Sequence, residues 1–157
     1  MKKPSLAALK INLVHPVRTT IAAVLAIMLA KSLGLPEIYW APISAIVVME
    51  STLGATLTVS WRRLVGTALG SIAGALLLTS FGPSVLAYAA GILGLGLVCI
   101  LFRLERSAYR FAGVTLTVIL LVNHDQPAWT MALHRFIEIS AGIVVSLGLT
   151  AFWPEEK

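Results

Sequence analysis

The sequence predicts an all-α integral membrane protein with six transmembrane helices, and it admits an organisation as two inverted three-helix repeats. Three observations carry this. The run from Leu64 to Phe102 holds no Asp, Glu, Lys, Arg or His, and is bracketed by Arg62 and Arg63 before it and by Arg103 and Arg106 after it. A helix crosses the hydrocarbon core with about 20 apolar residues, so this run is long enough to cross twice, turning at Phe81-Gly82-Pro83-Ser84. The chain is also 58% hydrophobic and only 12% charged, with a mean hydropathy of +0.91, where soluble domains carry roughly a quarter charged residues. Finally, its net charge of +5 comes from Lys and Arg grouped in short segments between apolar runs. Membrane orientation explains that grouping better than a nucleic-acid footprint does, so no nucleic-acid partner is expected.

The elements follow in order. Residues 1–16 read as a cytoplasmic or interfacial segment, with Leu6, Leu9, Leu13 and Val14 at helical spacing in the headgroup region. The polar approach through Lys10, His15 and Arg18 predicts a retained first helix rather than a cleaved leader. Helix 1 is expected over about 17–33, ending at Gly34-Leu35-Pro36, with Lys31 snorkelling and Tyr39 and Trp40 in the aromatic belt. Helix 2 is expected over 41–60, helix 3 over 64–80, helix 4 over 85–102, helix 5 over 109–122 and helix 6 over 131–153. Helix 2 meets a polar, glycine-containing interruption at Glu50-Ser51-Thr52-Leu53-Gly54.

Counting Lys and Arg in alternate loops sets the orientation. Lys2, Lys3, Lys10 and Arg18, then Arg62 and Arg63, then Arg103, Arg106 and Arg110, then Lys157 fall on one side, while 36–40, 81–84 and 123–130 hold none. Both termini are therefore expected in the cytoplasm of a bacterial inner membrane. A shift of 72 residues places Arg63 on Arg135, Gly70 on Gly142, Gly74 on Ser146 and Leu77 on Leu149. Repeats of three spans each must lie in opposite orientations, as in many secondary transporters; chance similarity between two apolar helices is the alternative.

Gly66, Gly70 and Gly74 recur every fourth residue, and Gly142, Ser146 and Thr150 do likewise. Such strips let backbones approach, within one subunit or across a dimer; a substrate path along a glycine-lined groove is the other reading. Glu50 is the most suggestive single residue, because a carboxylate in hydrocarbon must be paired, hydrated or protonated. It lies either well inside helix 2, where it could serve proton coupling, or at the emerging cytoplasmic interface. Arg62 and Arg63 either anchor topology or, with Thr67 one turn on, attract an anion, since guanidinium matches carboxylate bidentately. Arg135 and Glu138, spaced i,i+3, are expected to pair. His124 and Asp125 read as a solvated turn, and Cys99 as a small buried hydrophobe. With no nucleophile elbow, phosphate loop, CxxC or metal spacing, neither an enzyme nor a cofactor or metal is expected.

Three segments resemble one family: Tyr39-Trp40-Ala41-Pro42-Ile43-Ser44-Ala45, Val48 to Thr56, and Arg62-Arg63-Leu64-Val65-Gly66-Thr67-Ala68-Leu69-Gly70. They are similar to the fusaric acid resistance and aromatic acid exporter family, as are Arg135, Gly142 and the closing Trp153-Pro154. The most specific part is Arg-x-x-Gly-Thr-x-x-Gly from Arg63 to Gly70, while Ser51 stands where the family usually has proline. The resemblance implies a six-helix membrane module, distantly similar to the membrane part of aluminium-activated malate transporters, that exports organic, often aromatic, carboxylates. The family's cytoplasmic domain does not follow before Lys157, so a homodimer or a separately encoded partner subunit is expected.

The expected function is thus export of small organic anions across the lipid bilayer. Arg63 with Arg62 and Thr67 would draw in the carboxylate, Glu50 would couple protons, and Arg135 with Glu138 would form the matching pair. An organic-anion channel on the same scaffold, or a non-transporting membrane subunit of a larger complex, are the rival expectations.

Overall fold

The computed structural model describes residues 6–122 and 126–153, with side chains from Leu13 onward. The expectations for residues 1–5, for the solvated turn at His124 and Asp125, and for Lys157 lie outside the described residues. Six helices and no strand occur among those described: α1 Leu6–Ser32, α2 Trp40–Val48, α3 Leu53–Phe81, α4 Val85–Leu101, α5 Arg106–Leu121 and α6 Ala128–Phe152. Three are long and apolar enough to cross a membrane, namely Leu13–Ser32 of α1, α3 and α6; α4 is apolar but shorter.

Two boundaries differ from expectation for local reasons. Among the described residues no separate interfacial helix precedes α1, which runs unbroken through Pro16; a proline removes one N–H from the ladder, and here the turns on either side carry the helix past it. More consequentially, the helix expected over 41–60 stops at Val48, and the next begins at Leu53 rather than 64. Thr52 caps α3, its hydroxyl accepting the Ala55 N–H at 3.3 Å, so the polar stretch from Glu50 is a true break. Glu50 therefore lies between two helices, not inside one. Arg62 and Arg63 lie within α3 and not in a loop, as suits a residue that is a good helix former.

The chain ends α1 with a Schellman turn, in which Leu35 N–H bonds the Ala30 carbonyl and Gly34 N–H the Lys31 carbonyl. Gly34 takes φ 64° there, a conformation glycine adopts without penalty. α4 ends in the same pattern, Leu104 to Cys99 and Arg103 to Ile100, but with Arg103 at φ 52°. In the α1–α2 connection, the Glu37 carboxylate accepts bonds from Tyr39 Oη at 2.7 Å and Trp40 Nε1 at 2.9 Å.

Two compact units result: residues Met1–Val59 with Ser140–Lys157, and residues Ser60–Ile139. Their limits fall within α3 and α6, not at the Phe81–Ser84 turn. The first unit is built on small residues, Ala22, Ala26 and Ala30 of α1 meeting Ala41, Ala45 and Met49 and Ala141 of α6. In the second, Leu95, Ala112 and Leu116 form one core and Ala75, Ile119, Ala128, Met131 and Ala132 another. Outward faces are apolar, with Val85, Leu86, Leu93, Leu97, Ile100 and Leu101 of α4 all exposed. Water would penalise such a surface and a bilayer does not; this is a membrane protein.

Candidate functional site

α3 presents a buried polar row, Thr56, Ser60, Arg63, Thr67 and Ser71, whose spacing of three and four keeps one helix face. In the second unit Arg135 and Glu138 of α6 are buried as well. Arg63 is only 5% exposed, and its guanidinium lies over the Phe111 ring, 5.0 Å from the centroid, a cation–π contact. Arg62, one residue earlier and so about 100° around the helix, turns instead to the carboxylate of Glu105, with side chains 30% and 59% exposed. The structure thus separates the two arginines, one buried and one at the surface.

Arg135 Nη1 stands 3.5 Å from Glu138 Oε2, with side chains 4% and 1% exposed, so the expected i,i+3 pair forms and is buried. Around the same helices, Ser71 and Ile72 of α3 with Trp129, Ala132, Leu133 and Phe136 of α6 line an apolar groove of about 280 Å³. The hydroxyls of Ser60, Thr67 and Ser71 are buried without a hydrogen-bond partner among the described residues. A buried hydroxyl left unsatisfied costs about 1–3 kcal/mol, which marks this row as a place where water or a polar ligand belongs. Of these hydroxyls the sequence singles out only Thr67 as a substrate group; the signal for the others is their spacing from it, Ser71 at i+4 and Ser60 at i−7, two turns back on the same face.

Glu50 belongs to the first unit. Its N–H donates to Thr56 Oγ1 at 3.2 Å, and the Thr56 hydroxyl donates to the Thr52 carbonyl at 3.0 Å, so the break is pinned by the first turn of α3. The carbonyl of Glu50 accepts a bond from Arg18 Nη2, while Arg18 Nη1 donates to the Trp153 carbonyl at 2.9 Å. Arg18 is 0% exposed. Sequence reasoning had counted it among the surface cations of the first cytoplasmic segment. The signal that could have found it is its place in the row Arg18, Ala22, Ala26, Ala30, all fully buried at i,i+4.

The glycine strips sit at backbone contacts. A Cβ on Gly66 or Gly70 would press into the carbonyl oxygens of Ala108 and Ala112 of α5, and one on Gly142 into that of Ala41 of α2. Gly74 meets Ile119 of α5, where a Cβ would come within 3.0 Å. Ser146 donates to the Ala45 carbonyl at 3.0 Å. Cys99 is buried and free, and among the described residues no group of three or more His, Cys, Asp or Glu could hold a metal.

Comparison with known proteins places this geometry. The chain is 34% identical over 140 residues to the uncharacterized transporter YdhK of Escherichia coli K12, and equally to that of Escherichia coli O157:H7. The alignment takes in 83% of this chain but 21% of either relative, so the chain spans about a fifth of their length. No solved structure matches it. Residues 25–149, which contain α2 to α5, the last turns of α1 and most of α6, match the fusaric acid resistance protein-like family, and the chain belongs to that family.

Proposed function

We propose that this membrane transporter exports small organic anions, aromatic carboxylates among them, and that the buried polar row of the second unit recognises the carboxylate. The observation that carries the reading is a polar row in an apolar setting. Arg63 and Arg135 are buried in the same unit as the hydroxyls of Ser60, Thr67 and Ser71, which have no hydrogen-bond partner among the described residues. Guanidinium and hydroxyl groups both donate hydrogen bonds, and a carboxylate accepts from both. Thr67 and the two serines offer hydroxyls to it, and the groove beside Trp129 and Phe136 offers a surface for an apolar ring. Arg62, tied to Glu105, acts at the surface as an entry charge. Glu50, at the α2–α3 break, is the coupling carboxylate.

The module is read as six spans in two inverted halves in the inner membrane, with both termini cytoplasmic, working as a homodimer or with a separately encoded partner. The same 72-residue shift that pairs Arg63 with Arg135 also brings α3 onto α6 within three residues at either end, which supports the inverted halves. Proteoliposomes holding the purified chain test the reading, using a panel of aromatic and aliphatic carboxylates with and without a pH gradient. Uptake of an aromatic carboxylate is expected, lowered at least tenfold by Arg63→Gln and restored in part by Arg63→Lys, with Glu50→Gln abolishing the gradient dependence. Undiminished flux in Arg63→Gln removes the assigned site, and gradient-driven flux in Glu50→Gln removes the coupling role.

A further inference from the structure

We propose that Arg18 is a tethered cation, filling a carbonyl site where the C-terminal ends of α2 and α6 meet. The geometry of the first unit leads there in steps. From Ala30 back to Ala22, α1 offers only methyl groups, so α2 lies close against it along Ala41, Ala45 and Met49. Each stretch covers eight residues, about 12 Å of helix. One turn beyond Ala22 the row changes from alanine to arginine, at the level where α2 has ended, and the long side chain fills the space beneath that end.

The chemistry at that level calls for positive charge. The last carbonyls of a helix have no partner in the ladder and carry its negative dipole end. Neither α2 nor α6 has a basic residue in its last turn. The Glu50 and Trp153 carbonyls, each just past the end of its helix, are both bonded by the one guanidinium, which is fully buried. In transporters with interrupted helices, such C-terminal carbonyls commonly hold a coupling metal cation. Here the chain brings its own, covalently attached, so this break does not bind an exchangeable one. The inference is independent of which anion is exported, and its test reads stability and binding, not flux.

The full chain is purified in detergent, and unfolding is followed through Cys99, the sole cysteine, which is buried and reacts with a thiol dye only once exposed. Arg18→Lys is expected to unfold well above Arg18→Met, since charge and not stem packing is what the carbonyls require. In Arg18→Ala, millimolar guanidinium chloride is expected to raise the unfolding temperature saturably by several degrees, while equal urea or sodium chloride does not, and the wild type is not raised by any of them. Equal loss in the Lys and Met variants, including failure of both to fold, overturns the proposal. So does a response of Arg18→Ala to guanidinium no different from its response to urea or sodium chloride. Should the Ala variant alone not fold, the Lys and Met comparison decides.

Discussion

α6 crosses α2 in the first unit much as α3 crosses α5 in the second. At each crossing a glycine faces a carbonyl oxygen and the β-carbon three residues further on: Ala41 and Ser44 for Gly142, Ala112 and Thr115 for Gly70. What surrounds these contacts differs. Beside Gly142 the helix is stitched by hydroxyls, Ser146 to the Ala45 carbonyl at 3.0 Å and Thr150 to Met49 Sδ at 3.4 Å. Beside Gly70 the next position is Gly74 against Ile119, and the Thr115 hydroxyl turns back to the Phe111 carbonyl of its own helix. One steric solution thus serves two chemistries. Close approach is set by the glycine, and the neighbouring residues decide whether hydrogen bonds or dispersion hold it.

The largest effects are expected where the two crossings agree. Gly70→Ala and Gly142→Ala should each destabilise the protein by about 3 kcal/mol, read as a fall in dye-reported unfolding temperature; a mild effect in one alone would show the crossings to be unlike. Where they differ, Ser146→Ala should cost about 1 kcal/mol, the worth of a buried hydrogen bond, while Gly74→Ser should also destabilise, through crowding of Ile119. If Gly74→Ser proves neutral, the apolar crossing has room to take the polar chemistry. The turns ending α1 and α4 give a finer contrast. Arg103→Gly should stabilise by about 1 kcal/mol and Gly34→Ala destabilise by a similar amount, since both positions have positive φ. Opposite signs in the same assay are the check. Smallest of all, Arg62→Gln should change stability by less than about 0.5 kcal/mol, because its pair with Glu105 is exposed, and a shift of several degrees would mean the pair is buried by something further.

Much of this was legible in the chain itself. The uncharged run from Leu64 to Phe102 marks the end of α3, the turn at Gly82 and α4 almost to the residue, because absence of charge over such length has few physical meanings. The Arg135–Glu138 pair followed from spacing alone. The start of α3 is harder to read: the interruption at Glu50 to Gly54 is visible, but the adjacent Arg62 and Arg63 suit a loop at the membrane face and a continuing helix alike, since arginine is a good helix former. Arg18 was illegible for a related reason. A basic residue near the start of an apolar helix looks the same whether it faces lipid headgroups or is enclosed, and only the packing of α2 and α6 distinguishes the two.

The carbonyl contacts of Gly70 and Gly142 also limit how such a protein can move. A side chain in a helix interface can change rotamer and let its neighbour slide, whereas a carbonyl oxygen held in its own ladder has no rotamer to change. α3 against α5, and α6 against α2, are therefore expected to resist sliding at these two contacts, because neither side has a rotamer to give.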